Sequence, residues 1–387
     1  MKWIDRREFI GTTALAAAGA SALAGGCATA SGGGQAKLLG ALLHLGMNMW
    51  GDYRAPSEAK DPTLKYTHDH LRMDEPVWND ITALMQKRRY NFAIIDVGEG
   101  VVFPSHPELA VKGSWTPDRL RDEVARLKEM GIEAIPKLNF SCCHNRWMGV
   151  YSRMVSTRKY YQVVDELIGD VCEIFGKPRY VHLGMDEETE RMQKTMGLVV
   201  VRRGELLWHD VNYLFKCVEK RGARPIVFGT SFARQSGDEF FKRMPKSAVI
   251  NYGMYGHGYD LKRLTDTSLP VKERNPLGYG QWFNDVMSKE LANLERLSKD
   301  GYDFLSCTSN WTWNLGPDGK PKSYGTGKDH VQDAESAKWQ YDYITARYDP
   351  KHVLGFVMMP WASLQKGNQY YWECGINQMA DAVEMEK

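Results

Sequence analysis

The 387-residue chain lacks several features that mark whole classes of protein. Its 50 basic and 48 acidic residues leave a net charge of +2, which argues against a nucleic-acid-binding surface. It has no internal repeat, no long block of one charge and no glycine-rich phosphate loop after its first predicted strand. Its seven cysteines show no zinc-type spacing. We therefore expect no metal, no cofactor and no nucleic-acid partner.

Residues 1–27 are typical of an export signal. Arg6 and Arg7 precede a mildly apolar run that is too short and too poor in Leu and Ile for a confident membrane span. This pattern predicts export through the bacterial twin-arginine (Tat) machinery. Residues 23–27 resemble a lipoprotein cleavage box, although the apolar residue lies one place further from Cys27 than usual. We expect a lipidated Cys27 and a membrane-anchored lipoprotein; the alternative is cleavage nearby and a soluble periplasmic protein.

Residues 28–36 are rich in Ser and Gly and predict a flexible linker, followed by one domain over residues 37–387. Exported proteins can form disulfides. However, Cys142 and Cys143 are neighbours, and Tat substrates usually fold before export. We therefore predict no particular disulfide.

Strand-like apolar runs alternate with helical patterns after residue 36. Strands that are apolar throughout are typical of a parallel sheet buried on both faces. Eight of them predict a closed (β/α)8 TIM barrel, with an open doubly wound sheet as the alternative. The predicted strands are 38–45, 91–96, 132–140, 180–184, 225–229, 248–253, 302–307 and 353–359. The predicted helices are 78–89, 117–130, 160–175, 206–220, 291–298 and 334–347.

The most informative segment is residues 180–187, in which an apolar strand ends in a glycine and two adjacent carboxylates. The ends of barrel strands carry functional residues, and glycosidic bonds are cleaved by acids. The segment resembles the His-x-Gly-(small or Met)-Asp-Glu signature of the β-N-acetylhexosaminidases, glycoside hydrolase family 20. A weaker resemblance covers residues 78–362. The positions that match the signature itself are His182, Gly184, Met185, Asp186 and Glu187.

The resemblance implies a retaining reaction in which the substrate's own N-acetyl oxygen is the nucleophile. Glu187 would be the general acid and then the base, and Asp186 would orient the acetamido nitrogen. Glu187 would need a raised pKa, which an apolar pocket could supply. Adjacent strand residues point to opposite faces, so both acids reach one pocket only if the backbone leaves strand geometry near Gly184. The alternative is one catalytic acid and one structural partner of an arginine.

Other candidates follow the remaining strand ends. Asp96 and Glu99 could bind sugar hydroxyls, orient Glu187 or cap a loop, whereas His182 is expected to be a core histidine. Flat aromatic rings suit sugar stacking. The predicted substrate-binding residues are Asp96, Glu99, His144, Tyr252, Tyr255, Trp311, Trp313 and Trp361.

The chain departs from the family pattern at the positions that clamp the sugar. No arginine follows the first strand, and Lys137 and Asn139 stand where acidic residues are usual. Residues 311–313 read Trp-Thr-Trp where a tyrosine is usual, and residues 361–363 read Trp-Ala-Ser instead of Trp-x-Glu.

These departures favour another amino sugar, a longer glycan or a changed reaction, and they keep other functions open. One is a glycosidase that uses two protein carboxylates, Glu187 with Asp96 or Glu99. Another is a glycan-binding lipoprotein without catalysis. A metal-dependent deacetylase is least favoured, because the histidines show no ligand spacing.

Overall fold

The structure, a computed structural model, describes residues 37–49, 67–188, 202–253, 281–310 and 333–384, with 268, 270, 314–315 and 321–322. The predicted export signal, Cys27 and the linker lie outside the described residues and stay predictions. Within the described part of the chain, no helix is long and apolar enough to cross a membrane.

Eight parallel strands close into a barrel in which the first strand pairs with both the second and the last, which confirms the predicted (β/α)8 fold. Two further short strands, β8 (Asn314–Leu315) and β9 (Pro321–Lys322), form an antiparallel pair. The barrel strands are β1 (Leu38–His44), β2 (Phe92–Asp96), β3 (Glu133–Lys137), β4 (Tyr180–His182), β5 (Arg224–Phe228), β6 (Val249–Gly253), β7 (Phe304–Thr308) and β10 (Val353–Met358).

Helices follow the barrel strands and bury apolar faces against them. They are α1 (Glu75–Lys87), α2 (Pro117–Glu129), α3 (Arg158–Ile174), α4 (Gly204–Glu219), α5 (Thr230–Ser236), α6 (Asp238–Arg243), α7 (Gln281–Lys299), α8 (Asp333–Arg347) and α9 (Gln369–Glu384). Short 3-10 helices span Gly98–Gly100, Pro107–Leu109, Arg146–Arg153 and Lys366–Asn368.

Local sequence signals explain the start and end of α2. The Thr116 side chain accepts a hydrogen bond from the Arg119 N–H at 3.1 Å, and Pro117 occupies the first turn. Gly131 follows the helix with a φ of +79°, a conformation that favours glycine. The predicted N-cap, first turn and stop are confirmed.

The structure corrects several predicted boundaries. β3 ends at Lys137 and β4 at His182, both earlier than predicted, because the chain there leaves the sheet to build loops. Helix α7 begins ten residues before the predicted start at residue 291. Helices α5, α6 and α9 were missed, the first two because they are short.

The barrel interior changes from apolar to polar along the strands. Leu42, Ile94, Ile135 and Ile226 are fully buried within it. Further along, four buried polar residues form one row, since each pairs in register with the next: His44, Asp96, Lys137 and His182. This row lies at the carboxyl ends of β1 to β4, where (β/α)8 barrels carry their functional sites.

Candidate active site

The backbone after β4 leaves strand geometry. Gly184, Met185 and Glu187 have φ values of +71°, +68° and +52°. Such values are costly for Met and Glu, and residues held in this way are concentrated at functional sites. The irregular backbone removes the strict alternation that would point adjacent side chains to opposite faces.

As a result, both carboxylates meet one imidazole. His144 Nε2 lies 3.0 Å from Glu187 Oε2 and 3.3 Å from Asp186 Oδ2. The imidazole is buried, whereas 18% of the Asp186 side chain and 30% of the Glu187 side chain remain exposed. The two acids therefore share a site that a ligand can reach.

Asn139 fixes the position of Asp186. Its Nδ2 donates to Asp186 Oδ1 at 2.9 Å, and its Oδ1 accepts from the Ser141 N–H at 3.1 Å. A Cβ on residue 184 would lie 2.0 Å from Asn139 Oδ1. Gly184 therefore makes room for the Asn139 side chain.

The loops after β3 and β4 are joined by successive hydrogen bonds. The Ser141 hydroxyl donates to the Asp186 carbonyl, and Cys143 Sγ donates to the Glu187 carbonyl at 2.9 Å. The Cys142 N–H donates to Glu188 Oε1 at 2.8 Å. The loop after β3 therefore holds the backbone of the loop that carries both acids in place.

The site electrostatics contradict one expectation. Burial raises the pKa of Glu187, but the hydrogen bond to His144, the His144 charge and the Arg234 charge outweigh it, and the pKa is lowered. Conversely, burial lowers the pKa of His144, but the charges of Asp186 and Glu187 and the Glu187 hydrogen bond raise it overall. The pair therefore favours a carboxylate next to an imidazolium, because His144 provides a charge that the apolar-pocket argument left out.

Asp96 and Glu99 make internal contacts. Asp96 forms a buried ion pair with Lys137, and His44 Nδ1 lies 3.6 Å away. Glu99 Oε1 accepts the backbone N–H groups of Met47 at 2.7 Å and Asn48 at 3.0 Å. These contacts favour structural roles, and a role of either residue in sugar binding stays a prediction.

The two predicted aromatic residues that the structure describes lie in different parts of the barrel. The Trp361 ring lies 5.8 Å from the His44 ring and 6.1 Å from the Phe228 ring, at the end of the barrel interior. Tyr252 instead packs in the outer core and donates its hydroxyl hydrogen to the Glu290 carbonyl at 2.8 Å. Tyr255, Trp311 and Trp313 lie outside the described residues.

His182 is placed as expected for a core histidine. Its Nδ1 accepts the Gly184 N–H at 3.0 Å, its Nε2 lies 3.2 Å from Asn251 Nδ2, and its pKa is lowered well below the usual value, mainly by burial. Within the described residues, no group of three His, Cys, Asp or Glu side chains is arranged to hold a metal ion.

Sequence reasoning missed Asn139, Ser141 and Arg234 as site residues. Arg234 lies in α5, forms an ion pair with Glu290, and lowers the pKa of Glu187 through its charge. Burial raises the pKa of Glu290 itself to about 7. The available signal was weak, namely a polar or charged residue shortly after a strand end.

A cleft of about 460 Å³ opens between the loops that follow β1, β2 and β3. Its volume is in the range of small-molecule sites. Its walls include Asn48, His68, Glu99, Arg146 and Trp147, but neither Asp186 nor Glu187.

The fold and site together define a (β/α)8 barrel with two carboxylates in the loop after its fourth strand and a histidine in the loop after its third. No family model and no curated protein matches the chain. Solved structures with a similar fold include a variant of Streptomyces plicatus β-hexosaminidase in complex with its product GlcNAc. That comparison gives a TM-score of 0.54 and 14% identity, and covers 88% of this chain and 63% of the other.

Two further enzymes give the same result. For the Streptomyces coelicolor β-N-acetylhexosaminidase of glycoside hydrolase family 20, the TM-score is 0.53 and the identity 13%, with 88% of this chain and 63% of the other covered. For Bacteroides fragilis β-N-acetylhexosaminidase, the TM-score is 0.54 and the identity 13%, with 89% of this chain and 65% of the other covered. The chain thus spans less than two thirds of the length of these proteins, and the similarity shows a shared fold.

Proposed function

We propose that this protein is a glycoside hydrolase similar to the β-N-acetylhexosaminidases, which cleaves a 2-acetamido sugar glycoside with retention. The observation that carries the proposal is the convergence of Asp186 and Glu187 on His144 at the end of β4. The fold shared with enzymes of that activity supports it. The substrate is an amino-sugar-containing glycan.

In the first step, Glu187 gives a proton to the leaving oxygen as the bond from that oxygen to the anomeric carbon breaks. The acetamido oxygen of the substrate forms a new bond to the same carbon. Asp186, held by Asn139, accepts the acetamido N–H and stabilises the positive charge of the cyclic intermediate. In the second step, Glu187 takes a proton from the water that attacks the anomeric carbon. The bond from that carbon to the acetamido oxygen breaks, which opens the ring of the cyclic intermediate and restores the acetamido group.

The lowered pKa of Glu187 assigns a role to His144 in this scheme. The raised pKa of His144 lets the imidazole keep a proton next to Glu187 at a pH where the carboxylate is ionised. A sugar that displaces water from the partly exposed carboxylate raises the Glu187 pKa, because burial disfavours the charged form. The proton then moves from His144 Nε2 to Glu187 over a contact of 3.0 Å.

The test is hydrolysis of 4-nitrophenyl β-glycosides with and without the N-acetyl group. We expect turnover of the N-acetyl sugars alone, and a loss of about 100- to 10,000-fold in kcat in Glu187→Gln. Glu173→Gln is the matched control, since 80% of this side chain is exposed on α3. A thiazoline analogue of the cyclic intermediate should inhibit. Turnover of sugars without the acetamide, or full activity in Glu187→Gln, would contradict the proposal.

A glycan-binding protein without catalysis is the second candidate. The ion pair of Lys137 with Asp96 favours it, because Lys137 stands at the end of β3, where the family usually has acidic residues. Glycan binding with no turnover across the panel, and unchanged binding in Glu187→Gln, would support this candidate instead.

We also propose export through the Tat machinery and anchoring at Cys27. The twin arginine and the cleavage-box pattern support this proposal. Metabolic labelling with palmitate in a bacterial host should label the full chain but not Cys27→Ala. The double variant Arg6→Lys, Arg7→Lys should remain in the cytoplasm. Labelling that survives Cys27→Ala would contradict the anchor.

A further inference from the structure

Arg202 is a fully buried arginine that joins the loops after β3 and β4. Its Nη2 donates to the Phe140 carbonyl at 2.8 Å and to Glu188, and its Nη1 donates to Asp210 Oδ2 at 3.1 Å. The side chains of Arg202 and Asp210 have no exposed area, and that of Glu188 has 2%. A planar guanidinium presents N–H donors to all three acceptors in a fixed geometry, which the compact ammonium group of a lysine does not reproduce.

The two anionic partners connect Arg202 to both sides of the site. Glu188 directly follows Glu187, and its Oε1 also accepts the Cys142 N–H at 2.8 Å. Asp210, in α4, accepts hydrogen bonds from the hydroxyls of Ser156 at 2.6 Å and Tyr161 at 2.5 Å. The segment that carries Glu187 is therefore attached to the loop after β3 and, through the guanidinium, to helices α3 and α4.

We infer that Arg202 is a positioning residue, which holds Glu187 in contact with His144 by clamping Glu188 and Phe140. His144 and Phe140 belong to the loop after β3, and Glu187 and Glu188 to the loop after β4. Arg202 bridges these two loops through Glu188, which directly follows Glu187, and Phe140, which lies four residues before His144. The effect on turnover rests on the proposed function, whereas the effect on the His144–Glu187 contact does not.

Arg221 provides a matched control at the other end of the barrel. Its guanidinium also makes three hydrogen bonds, from Nη1 to Asp165 Oδ1 at 2.6 Å and the Cys217 carbonyl at 2.7 Å, and from Nη2 to the Asp165 carbonyl at 2.7 Å. It joins α3 to the end of α4 just before β5, opposite the two acids. Arg221→Lys therefore removes a comparable fork without touching the loops of the site.

The test is the pKa of His144, measured by NMR on the full chain labelled with ¹³C at histidine Cε1, with His144→Gln to assign the signal. In Arg202→Lys the positive charge remains, but the planar arrangement of N–H donors on Nη1 and Nη2 is lost. If Glu187 then moves away from His144, the pKa of His144 falls, because the contact with Glu187 is one of the causes that raise it. Arg221→Lys should leave the pKa unchanged.

Arg202→Met adds a test of sign. Loss of the guanidinium charge leaves Glu188 and Asp210 uncompensated, and extra negative charge by itself would raise the pKa of His144. A fall below the wild-type value therefore reports the lost contact with Glu187 and not the lost charge. If Arg202→Met does not fold, Arg202→Lys decides alone.

Kinetics with 4-nitrophenyl N-acetyl-β-glucosaminide give the second readout. We expect kcat to fall about 10- to 100-fold in Arg202→Lys with a smaller change in KM, because a displaced acid weakens the transition state more than binding. Arg221→Lys should keep wild-type kcat. An unchanged His144 pKa in Arg202→Lys would overturn the inference even if kcat fell. A wild type without turnover of any N-acetyl glycoside in the panel would contradict the proposed function and leave the NMR test valid.

Discussion

His144 Nε2 lies 3.0 Å from Glu187 Oε2, so the ends of β3 and β4 are joined by an ionisable pair. The pKa of His144 is raised, so its protonation stabilises the fold; this contribution is complete below pH 6.5 and is lost as the pH rises through the raised value. The pKa of Glu187 is lowered, so its contribution is present above pH 4.5 and is lost as the pH falls through the lowered value.

These signs predict a pH window for the stability of the pair. We expect the difference in unfolding free energy between wild type and His144→Gln, measured by urea denaturation, to be greatest in weakly acidic solution between those limits. It should shrink towards both acid and alkaline pH. The control is His70→Gln, because the His70 side chain is 53% exposed. A difference that is flat across pH would contradict the ionic pairing of His144 with Glu187.

Asn139 offers a test of charge beside Asp186. Asn139→Asp keeps the size of the side chain but replaces the amide donor 2.9 Å from Asp186 Oδ1 with a second carboxylate. Like charges at this distance raise the pKa of one carboxyl group. We expect kcat on N-acetyl substrates to be lower in Asn139→Asp than in Asn139→Ala at pH 7, and the order to reverse in acid. Equal activities at all pH values would show that the charge is unimportant.

Gly184 should tolerate no side chain. In Gly184→Ala the new Cβ would lie 2.0 Å from Asn139 Oδ1, and the backbone would keep a φ of +71°. Gly176→Ala is the matched control, because its φ is +67° and no atom lies within 4 Å of an added Cβ. We expect the control to lose about 1–2 kcal/mol of unfolding free energy from its backbone conformation. Gly184→Ala should lose about 1–3 kcal/mol more from crowding, by urea denaturation.

The barrel was accessible from the sequence because its signals are local. Apolar runs alternate with helical patterns, and Thr116 and Gly131 mark where one helix begins and ends. The motif with Asp186 and Glu187 was visible for the same reason. Short helices such as α5 carry too few residues for a clear period, so Arg234 was missed with them.

The contacts of the site depend on strand register, which the sequence does not encode locally. Lys137 in β3 pairs with His182 in β4. Asn139 and Gly184, each two residues after one of them in the sequence, therefore also meet. Likewise, Arg202 reaches Glu188 only because the chain after β4 returns to the loop after β3. The reversed expectation for the Glu187 pKa has the same origin, since His144 is 43 residues away in the chain.

The buried ion pair of Lys137 and Asp96 should matter for the stability of the fold. Lys137→Met leaves the Asp96 carboxylate, 2% exposed, without its cation and should cost about 3–5 kcal/mol of unfolding free energy. Lys137→Met combined with Asp96→Leu should cost less than Lys137→Met alone, because no unpaired charge remains.

His44 should partly compensate in acid. Burial lowers its pKa, the Lys137 charge lowers it further, and Asp96 raises it. Without Lys137, His44 can take up a proton and pair with Asp96 over the existing 3.6 Å contact. The loss caused by Lys137→Met, measured by urea denaturation, should therefore be smaller at pH 5.5 than at pH 8, and the double variant should show no such dependence. An equal loss at both pH values would show that His44 stays neutral beside Asp96.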